Sequence, residues 1–194
     1  MSSVPLQLIL IRHPEPEVAP GVCYGQWDVG LRDGWERAID QVATRLEALL
    51  EESLEPPPVA IFTSPLRRCR RPAQRLAEHF HRPVREYGDL KELSFGEWEG
   101  RAWEDFDGPE SRHWAEDFVC RRPPGGESFR ELQSRVLATL EQELPPSGPV
   151  VMLGHAGPIR ALLAKHHQRD LARAMDFEVP YLSLTRLSWD TTDR

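Results

Sequence analysis

Cysteine is scarce in this 194-residue sequence: Cys23, Cys69 and Cys120 lie far apart, and no CxxC pair occurs. An odd count at such spacing argues against a disulfide framework or a cysteine-built zinc site, so the three read as reduced thiols. No apolar run approaches the roughly 20 residues of a membrane span. The run Leu6-Gln7-Leu8-Ile9-Leu10-Ile11 has neither a basic leader before it nor a cleavage site after it, and a cytoplasmic chain is expected. Basic charge is also short, with 24 Lys and Arg against 31 Asp and Glu and a net charge of −7. That balance disfavours nucleic acid and anionic membranes as partners, and leaves a local basic pocket as the way to attract a small anion. No G-x-S-x-G elbow is present, which argues against a Ser-His-Asp hydrolase. Internal repeats and low-complexity tails are lacking too, and a chain of this length suits one α/β domain over residues 1–194.

What is present is an alternation of strand and helix signals, as a mostly parallel sheet between helix layers requires. The run 6–11 reads as a buried strand and ends in Arg12-His13. A second, Val150-Val151-Met152-Leu153-Gly154, ends in His155-Ala156-Gly157. Open α/β sheets bind ligands beyond the carboxyl ends of their strands, so two strands would deliver two histidines to one such edge. Residues 59–64 form a third strand signal. Trp35, Ile39, Val42, Leu46 and Leu49 recur at helical spacing after Asp33-Gly34-Trp35-Glu36, which resembles a capping box; Ser128-Phe129-Arg130-Glu131 repeats that pattern before Leu132, Val136 and Leu140. Residues 181–189 alternate with period two and predict a final edge strand with one solvated face. The expected architecture is therefore a three-layer αβα sandwich.

The 59–64 strand runs into Pro65-Leu66-Arg67-Arg68-Cys69-Arg70-Arg71, where a helix can begin. Free N–H groups at a helix start, with arginines beside them, suit a phosphate. The same arginines also fit a solvated helix face or a nucleic-acid patch, although no aromatic residues interleave them. His79-x-His81 and His166-His167 are the candidate metal ligands, but neither pair has cysteine or carboxylate partners at a usual ligand spacing. Between 101 and 123 the alternation lapses, and Trp103, Phe106, Trp114 and Phe118 stand among acids. This stretch reads as a lid insertion, with Trp103 and Trp114 offering aromatic faces to a ring-bearing substrate, or as an amphipathic helix packed on the core.

Four blocks in order resemble the histidine phosphatase superfamily, the phosphoglycerate-mutase-like enzymes. Arg12-His13-Pro14-Glu15-Pro16 corresponds to Arg-His-Gly-Glu-Thr/Ser, and Ser64-Pro65-Leu66-Arg67-Arg68 to Ser-x-Leu-x-Arg. Leu90-Lys91-Glu92-Leu93-Ser94-Phe95-Gly96-Glu97-Trp98-Glu99-Gly100 matches its block in full, and Gly154-His155-Ala156-Gly157-Pro158-Ile159-Arg160 matches with one Gly replaced by Ala. The resemblance implies a nucleophile at His13, phosphate-binding arginines at Arg12 and Arg68, a proton donor at Glu92 and a second phosphoryl-contacting histidine at His155. Pro14 and Pro16 stand where the family has Gly and Thr, stiffening the loop and removing two backbone donors; the asparagine often found later in that loop is absent, with Ala19 near its place. The stretch 21–28, together with Pro124-Gly125-Gly126-Glu127-Ser128, resembles the α-ribazole-5′-phosphate phosphatase branch, which acts in cobalamin biosynthesis. Tyr24 and Gln26 within it are candidate substrate-binding residues.

On that resemblance, His13 as neutral imidazole attacks phosphorus, Arg12 and Arg68 clamp the phosphoryl oxygens, and protonated Glu92 serves the leaving alkoxide. Neighbouring arginines would disfavour imidazolium, and a bound phosphate dianion would offset their field around Glu92. Neither metal nor cofactor enters the scheme. A broad small-molecule phosphatase of the same family and a catalytically inactive phosphoryl-binding protein are the alternatives. A mutase is less consistent, since in the family it takes longer insertions and an ordered C-terminal tail.

Overall fold

The computed structural model describes residues 6–106 and 108–189. Strand β1 (Leu6–Arg12) is followed by a two-stranded ribbon of β2 (Pro16–Glu17) and β3 (Gly30–Leu31), then by α1 (Trp35–Glu52), β4 (Ala60–Thr63), α2 (Arg67–Phe80) and β5 (Val84–Glu86). After several 3-10 turns come α3 (Pro109–Glu116), α4 (Phe129–Glu143), β6 (Pro149–Gly154), α5 (Ala156–His166) and β7 (Leu184–Trp189). The main sheet has five strands in the order β5-β4-β6-β1-β7. Its first four run parallel, and β7 lies antiparallel on the edge beside β1.

Because successive side chains of a strand point to opposite faces, β1 feeds two cores at once. Ile9 and Ile11 pack with Ile61, Val151 and Leu153 beneath Ile39, Val42 and Leu46 of α1 and Leu76 of α2. Leu8 and Leu10 face the other way, with Phe62, Val150 and Met152 beneath Leu132, Val136 and Leu140 of α4 and Ile159 and Leu162 of α5. The expected αβα sandwich, with its mostly parallel sheet and edge strand, is thus present. Among the described residues, no helix is long and apolar enough to cross a membrane.

Both helix starts read as capping boxes behave differently. Ser128 caps α4, its hydroxyl accepting from the Glu131 N–H while the Glu131 carboxylate accepts from the Ser128 N–H. At α1 the box is absent: the capping position is Gly34, at a left-handed φ of 84°, which leaves Asp33 one residue too early to reach the first turn. Beyond the sheet's carboxyl edge, β1 and β6 are adjacent, with Arg12 paired to Gly154 and the His13 N–H donating to the Gly154 carbonyl at 2.9 Å. That register sets His13 and His155 side by side.

Candidate active site

The rings of His13 and His155 meet edge to face, centroids 5.2 Å apart, and both are buried. His13 Nδ1 lies 2.6 Å from the Pro14 carbonyl oxygen. A carbonyl only accepts, so Nδ1 carries the proton and, in the neutral ring, Nε2 keeps the lone pair. Burial, then the Arg68 charge, holds the His13 pKa well below the usual histidine value; the Pro14 bond opposes this and Arg12 adds to it. His155 is lowered in the same way, by burial first, then by Arg68 and His13. The arginine field expected to keep His13 neutral is therefore present, but burial is the larger cause. Pro14, one of the two departures in the loop, supplies the acceptor through its carbonyl, which needs no N–H.

Arg68 emerges from the first turn of α2 and is fully buried. Its Nη1 donates to the Trp27 carbonyl at 2.8 Å and its Nη2 to that of Gly25. Arg12 Nη1 donates to the Val179 carbonyl at 2.7 Å, and its guanidinium lies 3.8 Å above the Tyr181 ring. In both arginines Nε is buried without a hydrogen-bond partner among the described residues. Burying a guanidinium is costly unless its donors are met, and backbone carbonyls meet only part of these two. The helix start itself is used otherwise than expected: the Arg67 N–H donates to the Asp28 carboxylate at 2.7 Å, so a protein carboxylate occupies the α2 terminus and Arg68 contributes by its side chain.

Glu92 follows a 3-10 turn at Gly88–Leu90. Its Oε1 accepts from the N–H groups of Leu93 and Gly157 at 2.9 and 3.0 Å, and Oε2 from Gly157 at 3.2 Å. A Cβ on Gly157 would stand 2.1 Å from Glu92 Oε1, so a larger residue there would displace the carboxylate. The backbone carbonyl of Glu92 is held as well, accepting from Gln26 Nε2 and Arg135 Nη2 at 3.0 Å each. Arg135 in turn pairs with Glu127 at 2.6 Å, and Glu127 accepts from the Ser94 N–H at 2.9 Å. Gln26, a candidate for substrate contact, thus spends its amide on the segment carrying Glu92 and is not on the wall of the adjoining cavity.

That cavity, of about 380 Å³, is lined by Arg12, Tyr24, Glu92, Trp103, Trp114 and Arg160 with several apolar neighbours. His13, His155 and Arg68 are not on its wall; Arg12 belongs to both groups. Tyr24 hydrogen-bonds Tyr181 through the hydroxyls at 3.1 Å, and the Tyr181 ring lies 5.6 Å from His13. Within 101–123, a 3-10 turn at Trp103–Phe106 and the eight-residue α3 pack their rings around buried Trp98, with Phe106 stacked on it at 5.0 Å and Trp114 edge-on at 5.6 Å. Trp103 and Trp114 thus both pack against Trp98 and line the cavity.

Among the described residues no group of three His, Cys, Asp or Glu side chains could hold a metal ion. His79 pairs instead with Glu47 at 2.9 Å, and His166 and His167 pack ring against ring. Three contacts escaped the sequence: Tyr181 against His13, the Glu127–Arg135 clamp, and Cys69, whose Sγ lies 3.3 Å from His155 Nε2. Only Tyr181 left a signal, since it opens the alternating run whose antiparallel partner ends at Arg12.

A family model described as the histidine phosphatase superfamily (branch 1) matches residues 8–194. A metal-independent phosphoserine phosphatase of Arabidopsis thaliana is 29% identical over 193 residues, covering 94% of this chain and 78% of that protein. A mycobacterial glucosyl-3-phosphoglycerate phosphatase, solved in complex with VO3, superposes with a TM-score of 0.78 at 28% identity, over 94% of this chain and 92% of that one. The α-ribazole phosphatase of Shigella flexneri gives a TM-score of 0.76 at 24% identity, over 93% and 89% of the two chains, a likeness of fold.

Proposed function

The chain belongs to the histidine phosphatase superfamily, branch 1, and from that premise we propose that it hydrolyses small phosphomonoesters through a phosphohistidine at His13. The observation that carries this is the bond from His13 Nδ1 to the Pro14 carbonyl, which leaves the Nε2 lone pair beside two arginines whose Nε groups lack partners among the described residues. Nε2 attacks phosphorus and forms the N–P bond as the ester P–O bond breaks. The leaving alkoxide takes the proton of Glu92. Water then attacks phosphorus, gives a proton to Glu92 and releases phosphate, returning neutral His13. Arg12 and Arg68 hold the phosphoryl oxygens, with His155 on another side. Since His13 is only 1% exposed, entry of the ester requires side chains around it to move.

The alcohol part is bounded by the cavity, whose aromatic wall suits an organic group of modest size. The assignment best supported is a small-molecule phosphatase. A second, α-ribazole 5′-phosphate in cobalamin biosynthesis, rests on the stretch 21–28 and on Trp103 and Trp114, which offer a ring to a ring; we propose residues 101–123 as the lid that carries them. Other relatives are named for phosphoserine and for glucosyl-3-phosphoglycerate, so both belong in the test.

Initial rates of the purified protein in excess chelator, across p-nitrophenyl phosphate, phosphoserine, phosphoglycerates, sugar phosphates, mononucleotides and α-ribazole 5′-phosphate, test this directly. We expect turnover without added cation and inhibition by vanadate. Phosphate binding without turnover of any ester would make the chain an inactive phosphoryl-binding protein, and activity that returns only with Mg²⁺ or Zn²⁺ would overturn the arginine and histidine scheme. α-Ribazole 5′-phosphate turned over no faster than the rest would leave a general phosphatase.

A further inference from the structure

We propose that Arg160 sets substrate choice in this cavity by binding a carboxylate on the alcohol part of the ester. The inference deepens the phosphatase reading and, for turnover, rests on it. Arg160 lies one turn into α5, the helix whose start carries His155 and Gly157, and its side chain lines the cavity with Arg12 and Glu92. Its Nε donates to the Phe177 carbonyl at 3.1 Å, which fixes the plane of the guanidinium. Both Nη groups are left without a partner among the described residues, and no carboxylate pairs with the side chain there. Burial lowers the Arg160 pKa from the ordinary arginine value, with Glu92 opposing and Arg12 adding, yet a guanidinium stays charged in proteins.

Charge balance then decides what this cation is for. In the reacting complex a phosphate dianion offsets Arg12 and Arg68, Glu92 is protonated as the acid, and both histidines are neutral. Arg160 remains as an uncompensated half-buried charge on the wall. An uncharged alcohol would leave it so. A second phosphate would bring two negative charges against one, whereas a carboxylate matches it in charge and meets the two free Nη groups as a planar fork. Spacing agrees with a short molecule: Arg12 and Arg160 are anchored on the carbonyls of Val179 and Phe177, two residues apart and so at most about 7 Å. The substrate is thus an acid whose carboxylate lies a few bonds from its phosphate ester.

Two matched pairs test this: phosphoserine against phosphoethanolamine, and 3-phosphoglycerate against glycerol 3-phosphate. In the wild-type protein kcat/KM should favour the carboxylate member by about ten-fold or more, the usual strength of a charged hydrogen bond. Arg160→Gln should bring each ratio close to one, and Arg160→Lys should restore part of it. The same four esters titrated calorimetrically into His13→Ala read the preference without turnover. Ratios near one in the wild type, or ratios unmoved by Arg160→Gln, would each overturn the assignment. Carboxylate preference in binding with no turnover of any ester would instead sink the phosphatase reading and leave Arg160 in its role.

Discussion

Gly157 donates its backbone N–H to both carboxylate oxygens of Glu92, at 3.0 and 3.2 Å, and the start of α5 thereby aims the proposed acid. His155 and Gly157, two residues apart at the start of α5, thus place the second histidine and the proposed acid from one helix terminus.

If Glu92 protonates the leaving oxygen, Glu92→Gln should slow alkyl phosphates about 10²–10⁴-fold while costing p-nitrophenyl phosphate far less, because that leaving group departs as a stable anion. Gly157→Ala should shift the same comparison in the same direction, since its Cβ would lie 2.1 Å from Oε1 and push the carboxylate off line. Measurement of kcat/KM for both ester types decides it; equal losses would remove Glu92 from this role.

Acid should destabilise the protein through its two buried histidines. Folded-state pKa values of His13 and His155 lie well below the ordinary value of about 6.5. Above that pH neither the folded nor the unfolded chain binds these protons. As pH falls through it, the unfolded chain takes them up and the folded one does not, so stability drops. The Tm of the wild type should therefore fall more steeply between about pH 6.5 and 5 than that of His155→Asn. Parallel curves would show that His155 is not held neutral.

A ring-bearing ester should gain from the aromatic wall at about 25 cal/mol per Å² of apolar surface buried, one or two powers of ten for a benzimidazole-sized ring. Trp103→Ala and Trp114→Ala should each narrow the kcat/KM advantage of α-ribazole 5′-phosphate over glycerol phosphate. An advantage that survives both would place the ring elsewhere.

Much of this was legible because strand ends and motif spacing are local records of the fold. Apolar runs ending in Arg12-His13 and Gly154-His155 located the sheet edge, and the alternation after Tyr181 predicted β7. What stayed hidden depends on side chains meeting across the fold. Gln26 gives no sign that its amide will hold the Glu92 carbonyl, nor Asp28 that it will occupy the α2 terminus. The failed box at Asp33 shows the limit even locally, since a shift of one residue moved the cap to Gly34. Likewise the sequence supplied arginines as the reason for a neutral His13, while burial, its larger cause, exists only once the chain is packed.

Everything turns on which atom carries the phosphoryl group. Acid-labile phosphate on a rapidly quenched enzyme, located by peptide mapping and phosphorus NMR after reaction with a labelled ester, should appear on His13 at Nε2, because Nδ1 is committed to the Pro14 carbonyl. The His13→Ala protein should carry no label and turn over no ester. Label on Nδ1, on serine or on cysteine, or full activity in His13→Ala, would contradict the account.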